Sequence, residues 1–203
     1  MTKTSRLTLT LAALLALAPL AAEAAPTHST RASTYGNSEP SLGAAVGQVD
    51  YSALLGLEFP PDGMDVGPRL TGEIMYSVMD LAPKARLKLG VRGAFGYHGF
   101  PGGSFWLLDA VPDAKITLAL TDLVALYGDV GLGLAVHHVS VDAQPPFPGG
   151  SDSTLTVAFQ MGGGVAYAIN PRVNLLGEIR LDLYTRSGSS TFVSFPTVGL
   201  QFH

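Results

Sequence analysis

The stretch TLTVAFQMGGGVAYAI, running from Thr154 to Ile169, decides the fold. Its odd positions carry Leu155, Val157, Phe159, Met161, Gly163, Val165, Tyr167 and Ile169; its even positions carry Thr154, Thr156, Ala158, Gln160, Gly162, Gly164, Ala166 and Ala168. A period of two sends successive side chains to opposite faces of an extended strand. One face is therefore large and oily, and the other small or polar. The next segment repeats the pattern: Val173, Leu175, Ile179, Leu181 and Leu183 share one face, while Asn174, Glu178, Arg180, Asp182 and Tyr184 share the other. A helix would scatter those three charges around its circumference; a strand aligns them.

Working outward from this pair gives eight strands, near Val49–Phe59, Leu70–Asp80, Ala85–Tyr97, Phe105–Leu120, Val124–His138, Thr154–Ile169, Val173–Thr185 and Thr191–Phe202. Three of the links are short and carry turn residues: Ala82-Pro83-Lys84, Thr121-Asp122 and Asn170-Pro171-Arg172. The other four contain PPDGMDVGP, HGFPGG, DAQPPFPGGSD and RSGSS, and read as longer loops. An even strand number, with short turns at one end and longer loops at the other, is the pattern of an outer-membrane barrel. Pro112 and Pro196 fall inside proposed strands, where a missing N–H predicts a bulge or a break.

Alternation alone does not say which face points inward, and a soluble ligand-binding barrel would put the oily face inside. Three features favour the membrane arrangement. The small face is a poor solvated surface but a good lining for eight strands, whose bore is just wide enough for side chains. The aromatics sort to both ends of the oily face: Tyr51, Tyr76, Tyr167 and Phe202 toward one, Phe59, Tyr97, Trp106 and Phe192 toward the other. Two such girdles mark the interfaces of a membrane. Finally, the chain ends with Val198, Leu200 and Phe202 alternating on the oily face. That ending resembles the C-terminal signal read by the barrel-assembly machinery, although His203 follows the aromatic.

Taken together, these residues resemble the small OmpA/OmpX-type eight-stranded barrels of the bacterial outer membrane. The resemblance implies an all-β, up-and-down transmembrane barrel embedded in outer-membrane lipid, with the assembly machinery as a partner during biogenesis and the loops open to an envelope or extracellular partner. It rests on pattern rather than on a family motif.

The start of the chain fits export. Lys3 and Arg6 precede the apolar stretch Leu7 to Leu20, and Ala22-Glu23-Ala24 is an A-x-A cleavage site. Pro19 and a length under about 20 residues argue against a membrane-spanning helix. The expected organisation is a signal peptide over 1–24, a flexible Ser/Thr/Pro/Gly-rich leader over 25–42 and a barrel over 43–203. Charged residues make up 14% of the chain, against about 25% in soluble domains. The net charge of −4 argues against a nucleic-acid partner. With no cysteine there is no disulfide scaffold, thiolate metal site or cysteine nucleophile.

The inward positions hold the acids Asp50, Glu58, Glu73, Asp109, Asp113, Asp129, Glu178 and Asp182, and the bases Arg69, Arg86, Lys88, Arg92, Lys115 and Arg180. Buried charges have to be paired. The expected site is accordingly a lumen ion-pair network of Glu73, Arg86, Lys88, Arg92, Asp109, Asp129, Glu178, Arg180 and Asp182, centred on the last three. It predicts a non-enzymatic protein with a plugged lumen; a narrow porin is the alternative use of the same charges. Neither a metal nor a cofactor is expected: the adjacent His137 and His138 point to opposite faces, and GDVGLGLAV and MGGGVAY lack dinucleotide-binding spacing. His138-Val139-Ser140 resembles the His-x-Ser pair of lipid A deacylases of the PagL family, with Asp152 available as the acid. The following Val141-Asp142 departs from the Asn-Ala of that family.

Overall fold

A computed structural model describes residues 43–61, 64–144, 146, 148–186 and 188–203, so the signal peptide and leader expected over 1–42 lie outside the described residues. Eight strands form a closed barrel in sequence order: β1 (Val49–Phe59), β2 (Gly67–Ala82), β3 (Ala85–Phe100), β4 (Gly103–Ala119), β5 (Val124–Val141), β6 (Gly150–Asn170), β7 (Val173–Arg186) and β8 (Gly188–Phe202). Every neighbouring pair is antiparallel, and β1 closes the ring against β8. Closure removes the unpaired edges that an open sheet would expose.

All eight expected strands are present. Most run further toward the loop end than the sequence pattern indicates, because the residues there are polar or glycine and carry no alternation. β3 continues to Phe100 and β4 starts at Gly103, so HGFPGG is a tight hairpin rather than a long loop. RSGSS is likewise absorbed: Arg186 and Gly188 are register partners. Only the connections over 60–66 and 142–149 are long.

Burial alternates as the period requires, with polarity reversed relative to a soluble protein. Leu55, Leu70, Ile74, Val91, Ile116, Leu132, Leu155, Ile179 and Val198 are exposed on the outside, while arginines, lysines and carboxylates fill the inside. A continuous exposed aliphatic surface of this extent needs an apolar medium against it. Tyr51, Tyr76, Tyr167 and Phe202 lie on this outer face near the turn end, and Phe59 and Tyr97 near the loop end, with Trp106 partly exposed beside Tyr97.

The two prolines behave differently. In β8, one extra residue lies opposite β1 between Gly56 and Glu58, and opposite β7 between Glu178 and Arg180. The bulge spans Ser194 to Thr197, where Phe195 and Pro196 both point outward. This shifts the phase of everything before it in β8, and Phe192 turns inward to 1% exposure. The assignment of Phe192 to the outer girdle is therefore corrected: strict period two, carried through a bulge, puts a side chain on the wrong face. Pro112 makes no bulge. β4 runs through it in one register with β3, and the β4–β5 pairing skips Val111 and Pro112 before resuming unshifted at Asp113 and Gly131.

Leu132, 62% exposed midway along β5, tests the orientation of the wall. Leu132→Arg should lower the stability of the bilayer-inserted barrel by about 2–4 kcal/mol, read from reversible denaturant unfolding. A change within about 0.5 kcal/mol, as at an ordinary exposed site, would place this face in water.

Candidate functional site: the charged lumen

The alternation that gives each strand an oily outside also lines up its charges inside, and closure brings the eight lines together. Among the described residues, eight buried carboxylates face five buried cations. They form three tiers.

At the turn end, Lys88 on β3 pairs with Asp50 on β1. The chain just before β1 covers this tier. The Ala44 N–H donates to Asp50 Oδ1 at 2.7 Å, and its carbonyl accepts from Ser77 Oγ at 3.0 Å and Arg86 Nη1 at 2.7 Å. Arg86 also binds the exposed Asp80 at 2.7 Å. Arg86 therefore belongs to the mouth of the barrel and not to the inner network in which the sequence reading put it. It sits beside the β2–β3 turn, where a long side chain reaches the rim instead of the bore. His203, just past β8, lies 3.9 Å from Asp50 Oδ1. Burial holds its imidazole below the usual histidine range, opposed by Asp50 and reinforced by Lys88.

The middle tier is built around Arg92 on β3. Its guanidinium meets Glu73 on β2, Asp113 on β4 (3.5 Å), Asp129 on β5 (3.3 Å) and Glu178 on β7 (2.9 Å). Arg180 adds bonds to Asp129 at 2.6 Å and Glu178 at 2.9 Å, while Lys115 takes the second oxygen of Glu73 at 2.6 Å. Tyr127 donates its hydroxyl to Glu178 at 3.2 Å. Long side chains fit because β6 opposite is stripped: a Cβ at Gly162 would lie 2.7 Å from Arg180 Nη2, and one at Gly164 would lie 2.7 Å from the Tyr127 hydroxyl. Glu73, Asp113 and Asp129 each bring one oxygen within 4.8 Å of the others, which is metal-ligand spacing. Arg92 reaches all three, so their counter-charge comes from the chain itself.

The outer tier has three carboxylates and one guanidinium. Arg69 on β2 meets Glu58, Asp109 (2.8 Å) and Asp182 (3.3 Å). Asp109 Oδ2 also accepts from Gln160 at 2.9 Å and from the Tyr184 hydroxyl at 3.1 Å. Above it lies an aromatic cap. The His98 ring is 5.9 Å from Phe105 and 5.7 Å from Phe192, and His137 meets Phe105 and Tyr184 edge-on at 5.4 and 4.9 Å.

Of the expected network, Glu73, Arg92, Asp129, Glu178 and Arg180 come together in the middle tier; Asp109 and Asp182 lie in the outer one, and Lys88 near the turn end. The cation beside Asp182 is Arg69, which lies outside the expected network. Inward-facing Arg69, Lys115 and Asp113 were legible, but their partners were not, since pairing across a bore depends on strand stagger. The aromatic cap was missed because the β8 bulge hid Phe192 and because buried His98 gave no signal.

The His-x-Ser pair is not assembled. His138 stacks on Trp106 at 5.0 Å, and its Nδ1 lies 2.7 Å from Ser153 Oγ, its cross-strand partner on β6, rather than pairing with Ser140.

The matching family model is the outer membrane protein beta-barrel domain, over residues 9–201. The chain belongs to this outer-membrane β-barrel family. No curated protein matches it in sequence. Among solved structures, Neisserial surface protein A is similar at 17% identity and a TM-score of 0.53, covering 76% of this chain and 94% of that one. The N-terminal barrel of Pseudomonas aeruginosa OprF (15% identity, TM-score 0.44; 76% and 95% covered) and the outer membrane enzyme PagL (16%, 0.48; 76% and 99%) are also similar. At these identities the likeness concerns fold alone. In outer-membrane barrels the short turns face the periplasm and the longer loops face outward, which puts the aromatic cap at the external mouth.

Removing one member of a buried pair strands the other, typically at about 3–5 kcal/mol. Arg180→Ala should cost that much in unfolding free energy, whereas Asp80→Ala, which breaks a half-exposed pair, should cost less than about 1 kcal/mol. Equal costs would mean that the lumen pairs are hydrated.

Proposed function

We propose that this chain is a non-enzymatic integral outer-membrane protein whose lumen is closed by its own ion pairs, and which acts through the envelope and through its external connections over 60–66 and 142–149. The observation that carries the reading is Arg92, a single guanidinium joined to carboxylates of four other strands. Such a crosspiece takes up the bore of an eight-stranded barrel; Arg69 joins three further strands in the outer tier, and Lys88 pairs with Asp50 at the turn end. A porin would instead keep a hydrated path lined by unpaired charge. In planar bilayers the protein should show no sustained single-channel conductance, and Arg92→Ala should give brief openings as water enters the vacated space. Steady ohmic conductance from the unmodified protein would replace the plug by a pore.

One observation favours a second reading, a lipid-modifying hydrolase: the His138–Ser153 bond lies at the external rim beside Trp106. A serine made nucleophilic needs such a base, but it also needs donors for the developing oxyanion; the contacts of His138 among the described residues are the stack on Trp106 and the bond to Ser153. Cells producing the protein should accordingly keep their lipid A acylation unchanged, with or without His138→Ala and Ser153→Ala. Acyl loss with the unmodified protein, abolished by both variants, would reverse the assignment.

A further inference from the structure

We propose that Glu58 and His98 bind one proton between them, and that this proton fastens the backbone at Asp65 to the external mouth of the lumen. His98 is fully buried. Its Nδ1 lies 3.1 Å from the carbonyl oxygen of Asp65, and its Nε2 lies 2.9 Å from Glu58 Oε2. The carbonyl can only accept, so Nδ1 carries a hydrogen. A neutral imidazole then presents a lone pair at Nε2, facing a carboxylate that also has only lone pairs. The 2.9 Å contact is a hydrogen bond only if one more proton sits on Nε2 or on Oε2. The pair therefore holds one proton beyond a neutral imidazole and a carboxylate.

The surroundings are built for this contact. A Cβ at Gly96 would lie 2.3 Å from Glu58 Oε2, and one at Gly67 would lie 2.8 Å from His98 Nδ1. Both glycines leave the space that the carboxylate and ring occupy. Phe105 and Phe192 flank the ring and exclude water from it. The charged and titratable groups around the pair are Asp65 from the connection, Arg69 from β2, Asp109 from β4, His137 from β5, and Asp182 and Tyr184 from β7. β6 contributes Gln160, and β8 contributes Phe192 and Ser194, none of which titrates. With Glu58, Asp109 and Asp182 around the single Arg69, the tier is two positive charges short, and the shared proton supplies one of them. Its loss would remove the bond across the mouth and leave the carboxylates to repel one another, freeing Asp65. The site deepens the closed-lumen reading at its external end.

The test is amide hydrogen exchange on the refolded full chain, corrected for intrinsic rates, from mildly acidic to mildly alkaline buffer. The reporter is the Asp65 amide, which donates to the Gly99 carbonyl at 2.8 Å. In the unmodified protein its protection should fall about tenfold or more on alkalinisation, the worth of one hydrogen bond to a charged group. Glu58→Gln replaces the shared proton by a permanent amide hydrogen, with its carbonyl still available to Arg69, so its protection should not change with pH. Gly96→Ala displaces the Glu58 carboxylate without altering any titratable group, and should show low protection throughout. Protection that is independent of pH in the unmodified protein, or that falls in parallel in Glu58→Gln, overturns the proposal. If Glu58→Gln does not fold, the pH series of the unmodified protein and Gly96→Ala decide between them. Conductance plays no part in this readout: a conducting barrel would sink the closed lumen and leave the proton site standing.

Discussion

A closed ring of eight strands in lipid has one interior, just wide enough for side chains to fill. The charges that the alternation sends inward are therefore buried together and pair with one another across the bore. Arg92 is where this constraint is most concentrated. It faces Glu73, Asp113, Asp129 and Glu178 at once, and Arg180 and Lys115 complete what it leaves. The glycines of β6 follow from the same demand, because a larger residue at Gly162 would occupy the space of the Arg180 guanidinium. The oily outer face and the charged inner one are thus two results of a single period-two pattern wrapped into a cylinder.

Buried ion pairs of this kind are weak contributors to net stability, since desolvating both partners offsets most of their attraction. A one-residue slip of any strand would send its charges into the lipid and its leucines into the lumen, so the alternation that builds the network also specifies one register. The outer tier is the exception in its composition. It replaces part of the ion pairing with an aromatic cap, and Phe192 enters that cap because the Pro196 bulge turns it inward.

Strand number, strand order and the facing of nearly every residue were legible in the sequence, because alternation is a local property and the chain passes once around the barrel in order. Legibility failed wherever a residue's environment depends on something non-local. Phe192 was misplaced by counting period two through a bulge whose position, but not whose effect on phase, Pro196 announced. Arg86 was assigned to the network by its facing alone, although its height at the β2–β3 turn takes it to the rim. The pairing of Asp182 with Arg69 depends on the stagger of β2 against β7 across the bore, which no strand records by itself. His98 gave no signal because a histidine facing inward among glycines is unremarkable until Glu58 and Asp65 are seen on either side of it.

The central claim is that the inward charges act on one another rather than on water. A double-mutant cycle on Arg180 and Asp129, 2.6 Å apart and on strands separated by β6, measures that interaction directly. Reversible unfolding of Arg180→Ala, Asp129→Ala and the double variant should give strongly non-additive costs, with a coupling near the upper end of the roughly 0.5–3 kcal/mol range for residues in contact. Additive costs, with the double variant losing the sum of the two single losses, would mean that each charge is solvated on its own and that the lumen is an aqueous channel.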